Sequence, residues 1–134
     1  MLYMLDTNIC IFLMRKKHIE YFQRLEKIQK NNDIAISSIV LSELQYGVAN
    51  SQFKEQSQIN LNLLLGKLDV LSYTDQAAFH YGLVRAELKK TGSLIGANDL
   101  LIVGHALSES ATLITNNAKE FTRVNGLALE VWEQ

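Results

Sequence analysis

The chain has 134 residues and a formal net charge of −1, with 48% hydrophobic and 20% charged residues. That length suits one domain with a proper core, and the near-neutral balance argues against a polycation that coats nucleic acid. No apolar run approaches the length of a bilayer span, no basic and apolar leader opens the chain, and the single cysteine, Cys10, cannot pair internally, so a cytoplasmic, reducing setting is expected.

Residues 2–5 are apolar without alternation, as in a strand buried on both faces. The run ends in Asp6-Thr7-Asn8, and apolar residues resume at helical spacing over 7–14, followed by Arg15, Lys16 and Lys17. Cys10 lies on that apolar helix and is expected to be a small buried hydrophobe rather than a nucleophile. An amphipathic helix is predicted over 18–30, then a turn at Asn31-Asn32-Asp33 and a buried strand over 34–36. Ser37-Ser38 opens a helix with Glu43 set among apolar residues. After Asn50-Ser51, a long helix over 53–66 ends at a glycine C-cap, and 68–71 is a third strand. Thr74 or Asp75 caps a helix over 76–90 that breaks at Thr91-Gly92. Ile95-Gly96-Ala97-Asn98-Asp99 leads into an apolar helix over 100–107, and strands follow at 112–115 and 128–131. Strands alternating with helices predict an α/β fold: a three-layer α/β/α domain filling residues 1–134, with a mostly parallel sheet of about five short strands. Periodicity does not give the strand order.

Acidic residues are costly in an apolar context, which singles out Asp6, Glu43 and Asp99. Each lies near the start of a helix that follows a strand or a glycine turn, and in a parallel sheet those helix starts gather at one edge. The plain alternative is that Asp6 and its counterparts only cap helices. Carboxylates meeting in one cleft repel unless a cation joins them, and oxygen-only ligands favour Mg²⁺, with Mn²⁺ as substitute. His18, His80 and His105 show no metal-ligand spacing, and His105 suits a packed or capping role on an apolar helix face. Thr115-Asn116-Asn117 ends a strand at the same edge, where Asn117 offers an amide oxygen or simply an Asx turn, and Glu120 offers a charge one turn on.

Four segments, Met4-Leu5-Asp6-Thr7-Asn8, Ser42-Glu43-Leu44, the stretch from Ile95 through Asp99 to Ile102, and the stretch from Thr115 to Phe121, together resemble the ordered motifs of PIN-domain ribonucleases. Within them the chain is similar to the VapC toxins of bacterial VapBC toxin–antitoxin modules, and Arg123 to Trp132 resembles their C-terminal signature. The resemblance implies a PIN fold and a Mg²⁺-dependent endoribonuclease that inhibits translation, restrained by a VapB-type antitoxin and usually homodimeric. It implies that Asp6, Glu43 and Asp99 carry the metal site. Many PIN domains have an acidic residue where this chain has Asn117, which makes Glu120 the candidate for the missing charge. For some relatives the RNA is initiator tRNA, cut in the anticodon loop.

On this reading Asp6 and Asp99 hold the metal, while Glu43 orients or deprotonates the attacking water. Glu120 or Asn117 completes the set, and Thr7, Asn8 and Asn116 support it by hydrogen bonds. Arg15, Lys16, Lys17, Arg85, Lys89 and Lys119 are candidate phosphate contacts, although each also suits a solvated helix face. Two other readings stand beside it. A phosphatase or phosphoacceptor domain could use Asp6, but a haloacid-dehalogenase-like enzyme needs a second Asp where Asn8 stands. A non-catalytic subunit that only binds a partner would not need all three acids.

Overall fold

The structure, a computed structural model, describes residues 1–15 and 19–133. Lys16, Lys17 and His18 lie outside the described residues. The elements run β1 (Leu2–Leu5), α1 (Thr7–Met14), α2 (Ile19–Gln29), β2 (Asp33–Ser37), α3 (Ser38–Ala49), α4 (Lys54–Leu65), β3 (Asp69–Leu71), α5 (Asp75–Lys90), α6 (Ala97–Ser108), β4 (Thr112–Thr115), α7 (Ala118–Phe121) and β5 (Ala128–Val131). All five strands are parallel, in the order β3-β2-β1-β4-β5.

This order has a physical consequence for the site. From β1 the chain steps to β2 and β3 on one side, then returns across the sheet to β4 and β5 on the other. Right-handed crossovers place the helices of the first two steps on one face and those of the return on the opposite face, giving the three layers. The step direction reverses between β1 and β4, which opens a crevice beyond their carboxyl ends. Leu5 pairs with Ile114 in register, so Asp6 and Thr115 are the next residues on either side of that crevice.

The central strands are unalternating because both faces are covered. Met4, Leu5, Ile34, Ile36, Leu113 and Ile114 are all buried. They pack with Ile9, Leu13, Val40, Leu44, Ile102, Val103 and Trp132 into one continuous core. Cys10 is a free, fully buried thiol of that core, and burial pushes its pKa up, away from thiolate chemistry. Among the described residues no helix is long and apolar enough to cross a membrane.

Three details differ from expectation. The helix carrying Asp99 begins at Ala97, so Asp99 sits inside its first turn instead of ahead of it. The small and polar residues Ala97 and Asn98 carry no apolar period, which hid that turn. Residues 118–121 form a helix of four residues, too short for any periodicity to reveal. Gly66 does close α4, but with φ −68, so it needs no left-handed conformation.

The backbones of α5 and α6 approach closely at Gly104. A Cβ there would lie 2.8 Å from the Tyr81 nitrogen and 2.9 Å from the Ala77 carbonyl oxygen, with no flexible side chain to yield. Gly82, on α5, faces nothing within 4 Å. Gly104→Ala should therefore lose about 1–3 kcal/mol by overpacking. Gly82→Ala should gain up to about 1 kcal/mol from helix propensity. Urea unfolding of the two variants beside wild type checks both signs.

Candidate active site

Asp6 ends β1 and is the N-cap of α1. It is 4% exposed, and its two carboxylate oxygens go in different directions. Oδ1 accepts from the Ile9 backbone N–H at 2.9 Å, while Oδ2 accepts from the Thr115 hydroxyl. Burial raises the Asp6 pKa most; the hydrogen bonds from Thr115 and from the Ile9 and Asn8 backbones pull it down, and the charge of Glu43 adds to the rise. Capping thus takes one oxygen, and the other lies against Thr115 across the crevice.

Glu43 lies on α3, half-buried, and accepts from the Thr7 hydroxyl at 2.7 Å. Thr7 therefore supports Glu43, not Asp6, and the exposed Asn8 contributes through its backbone. Asp99, the third residue of α6, is half-buried. Its pKa is raised to about 7, first by burial, then by a hydrogen bond to Glu120 and by the charges of Glu120, Asp6 and Glu43. The four acids proposed from the sequence thus lie near enough for the other three to act on Asp99 through their charges. Gly96, just before α6, borders Asp99: a Cβ there would meet Asp99 Oδ2 at 3.4 Å, an ordinary contact distance.

Glu120 is half-buried on α7, and its segment is tied to the Asp99 side by Arg123, whose Nη1 donates to the Leu94 carbonyl at 3.1 Å. Asn117 precedes α7 without capping it through its side chain, so the Asx-turn alternative is not realised there. Its backbone N–H donates to Thr115 Oγ1 at 2.9 Å, and Asn116 beside it is half-buried. Sequence reasoning missed Thr115, which is fully buried and joins Asp6 to the Asn117 backbone. The signal was its place: a hydroxyl ending an apolar strand that neighbours β1.

Asp6, Ser37 and Thr115, at three strand ends, and His105, bonded to Ser37, are buried polar or charged side chains. The donors near the crevice are carboxylate, hydroxyl and amide oxygens, a set suited to a hard divalent ion. Among the described residues, no three acids gather closely enough to hold an ion by themselves. Water would supply the rest of the shell, as Mg²⁺ prefers.

The basic candidates are dispersed. Arg15 is exposed where α1 ends, Lys89 is exposed in the last turn of α5, and Lys119 is exposed on α7 beside Glu120. Arg85 donates to the Tyr81 hydroxyl at 2.7 Å and stacks over its ring.

With this geometry in place, comparison with known proteins is direct. The PIN domain family profile matches residues 3–127. The chain belongs to the PIN-domain family. It is 52% identical, over the full length of both chains, to Ribonuclease VapC2 of Rickettsia felis. It is 42% identical, over 97% of each chain, to the tRNA(fMet)-specific endonuclease VapC of Shigella flexneri. The fold matches the crystal structure of VapBC2 from Rickettsia felis bound to a promoter DNA fragment, with a TM-score of 0.97 and 51% identity. That match covers 99% of this chain and 100% of the other. The chain is thus a PIN domain of the VapC ribonuclease type.

Both Asp6 and Asp99 have raised pKa values, so each favours the folded state most when protonated. That contribution is complete below the ordinary Asp range near about 4. It is lost as the pH rises through the folded value, about 7 for Asp99. In EDTA, Asp99→Asn should melt above wild type at neutral pH, with the gap closing as the pH falls to about 4. Melting curves across that range check it, and a gap of opposite sign would exclude a repulsive cluster.

Proposed function

We propose that this PIN domain is a Mg²⁺-dependent endoribonuclease toxin, cytoplasmic and restrained by a VapB-type antitoxin. The observation that carries the reading is the convergence on Asp99 of Glu120, Asp6 and Glu43, four carboxylates at the switch point of a parallel sheet. Such a cluster is costly without a cation and useful with one.

When bound, Mg²⁺ supplies positive charge that acidifies water and offsets charge building on the phosphate. Asp6 and Asp99 would hold it, with Mn²⁺ as a possible substitute, and Glu120 or the Asn117 amide completes the donor set. Glu43, fixed by Thr7, orients the attacking water and takes its proton. The water attacks phosphorus in line as the bond to the 3′ oxygen breaks, and that oxygen takes a proton from solvent. The products are a 5′-phosphate and a 3′-hydroxyl, because the ribose 2′-hydroxyl takes no part. Exposed Arg85, Lys89 and Lys119 hold flanking phosphates. We take the substrate to be a tRNA, with initiator tRNA first in line on the strength of the name carried by the Shigella relative, and its anticodon loop as the cut site on the family resemblance alone. Unpaired loops are where sequence-specific RNA reading generally acts.

The antitoxin's seat is proposed to be the apolar groove lined by Leu13, Met14, Ile19, Phe22, Leu63 and Leu64, between α1, α2 and α4. The similar solved structures are VapBC complexes, which favours an antitoxin segment as its occupant. A homodimer is proposed as well.

Sequencing the 5′ ends of RNA cut by the purified protein tests the mechanism, with EDTA and Asp6→Asn as controls. A 5′-phosphate at one site in tRNA, lost in both controls, is expected; a 2′,3′-cyclic phosphate on the upstream fragment would exclude it. Thr7→Val should stay folded yet lower kcat by roughly 10–100-fold, because Glu43 loses its tether; single-turnover cleavage measures this. Sedimentation at micromolar protein should show a dimer, and a monomer would overturn that assignment.

A further inference from the structure

Beyond the acids, one buried polar contact is not used by the chemistry above. His105 and Ser37 are both fully buried, and His105 Nδ1 and Ser37 Oγ share a hydrogen bond of 2.7 Å. Ser37 ends β2 and caps α3, its Oγ accepting from the Ile39 backbone N–H at 3.0 Å. The ring of Tyr73, in the segment after β3, meets the His105 ring edge-on, with centroids 5.6 Å apart. Tyr73 is itself held where its backbone N–H donates to Ser38 Oγ at 3.0 Å. His105 Nε2 is buried and has no partner among the described residues, so Nδ1 is the ring's polar anchor. A leucine would fill much of this volume without leaving a buried nitrogen unpaired, so the histidine at this position calls for a reason beyond packing.

Its location suggests one. Asp99 lies six residues before His105 on α6, and Glu43 lies six residues after Ser37 at the start of α3. Each acid is therefore about 9 Å along a helix from the same hydrogen bond, at 1.5 Å rise per residue. We propose that His105 is a positioning residue: through Ser37 it locks α6 to the start of α3 and so fixes the spacing between Asp99 and Glu43. A shift of about 1 Å at such a joint passes along two stiff arms to the carboxylates, and misplacement of that size can cost around a hundredfold in rate. The inference rests on the nuclease reading for its catalytic consequence, but the spacing of the acids can also be read from metal binding alone.

The test compares His105→Leu, His105→Gln and His105→Asn with wild type. Asn places an amide near the position of Nδ1 and can keep the bond to Ser37, whereas Gln carries its amide toward the position of Nε2. The readouts are the Mg²⁺ concentration giving half of the maximal rise in melting temperature, and kcat and KM for RNA measured well below every melting point. Leu and Gln should raise the Mg²⁺ midpoint by about tenfold and lower kcat by roughly 10–100-fold, with KM unchanged. Asn should restore both. If Leu matches wild type in both readouts, or Asn is as impaired as Leu, the proposal is overturned. Should Leu not fold, the contrast between Asn and Gln decides by the same rule. If wild type cuts no RNA while the midpoints separate as expected, the nuclease reading fails and the positioning role stands.

Discussion

A carboxylate placed at the end of a strand buried on both faces must be met by hydrogen bonds or give up its charge, and much of this fold answers that requirement for Asp6. The start of α1 supplies the Ile9 N–H, and the end of β4 supplies the Thr115 hydroxyl. The two donors come from opposite sides of the crevice, so satisfying Asp6 also fixes β1 and β4 at the switch point. Thr115 is oriented in turn by the Asn117 N–H. Electrostatics and topology meet in one side chain.

The other acids are held by the same kind of support. Thr7 and Asp6 are neighbours in sequence, yet the threonine turns to Glu43, so the first two residues after β1 serve two different carboxylates. Glu120 lies near enough to Asp99 to raise its pKa, and Arg123 fastens the segment behind Glu120 to the loop before α6. The result is a cluster that strains the protein when bare. Stability given up at a functional site is a common trade, and here the raised Asp6 and Asp99 pKa values show where it is spent.

Much of this was legible in the sequence. Asp6, Glu43 and Asp99 stood out because acids among apolar residues need a reason, and the βα alternation placed them at one edge; Glu120 entered only as a charge one turn beyond Asn117 and through the family resemblance. The hydroxyls were far less visible. Thr115 fits a strand on propensity alone, Ser37 fits a helix start, and His105 fits an apolar face, so nothing local distinguishes a side chain that packs from one that holds a carboxylate or a helix. Their roles depend on which strands are neighbours. The order β3-β2-β1-β4-β5 follows from how the crossovers pack, a tertiary fact with no period in the sequence. The start of α6 and the four residues of α7 were missed because short polar turns carry too little pattern.

The pairing of β1 with β4 also sets a sequence of events during synthesis. Asp6 is made 109 residues before its hydroxyl partner, Thr115, and Glu120 comes later still. Chains fold as they emerge, from the N-terminal end onward. β1 and β2 can meet early, but the crevice has no second wall until β4 has left the ribosome. A growing chain therefore carries three of its four acids with no assembled site between them. The order of the strands thus withholds the crevice until β4 takes its place beside β1.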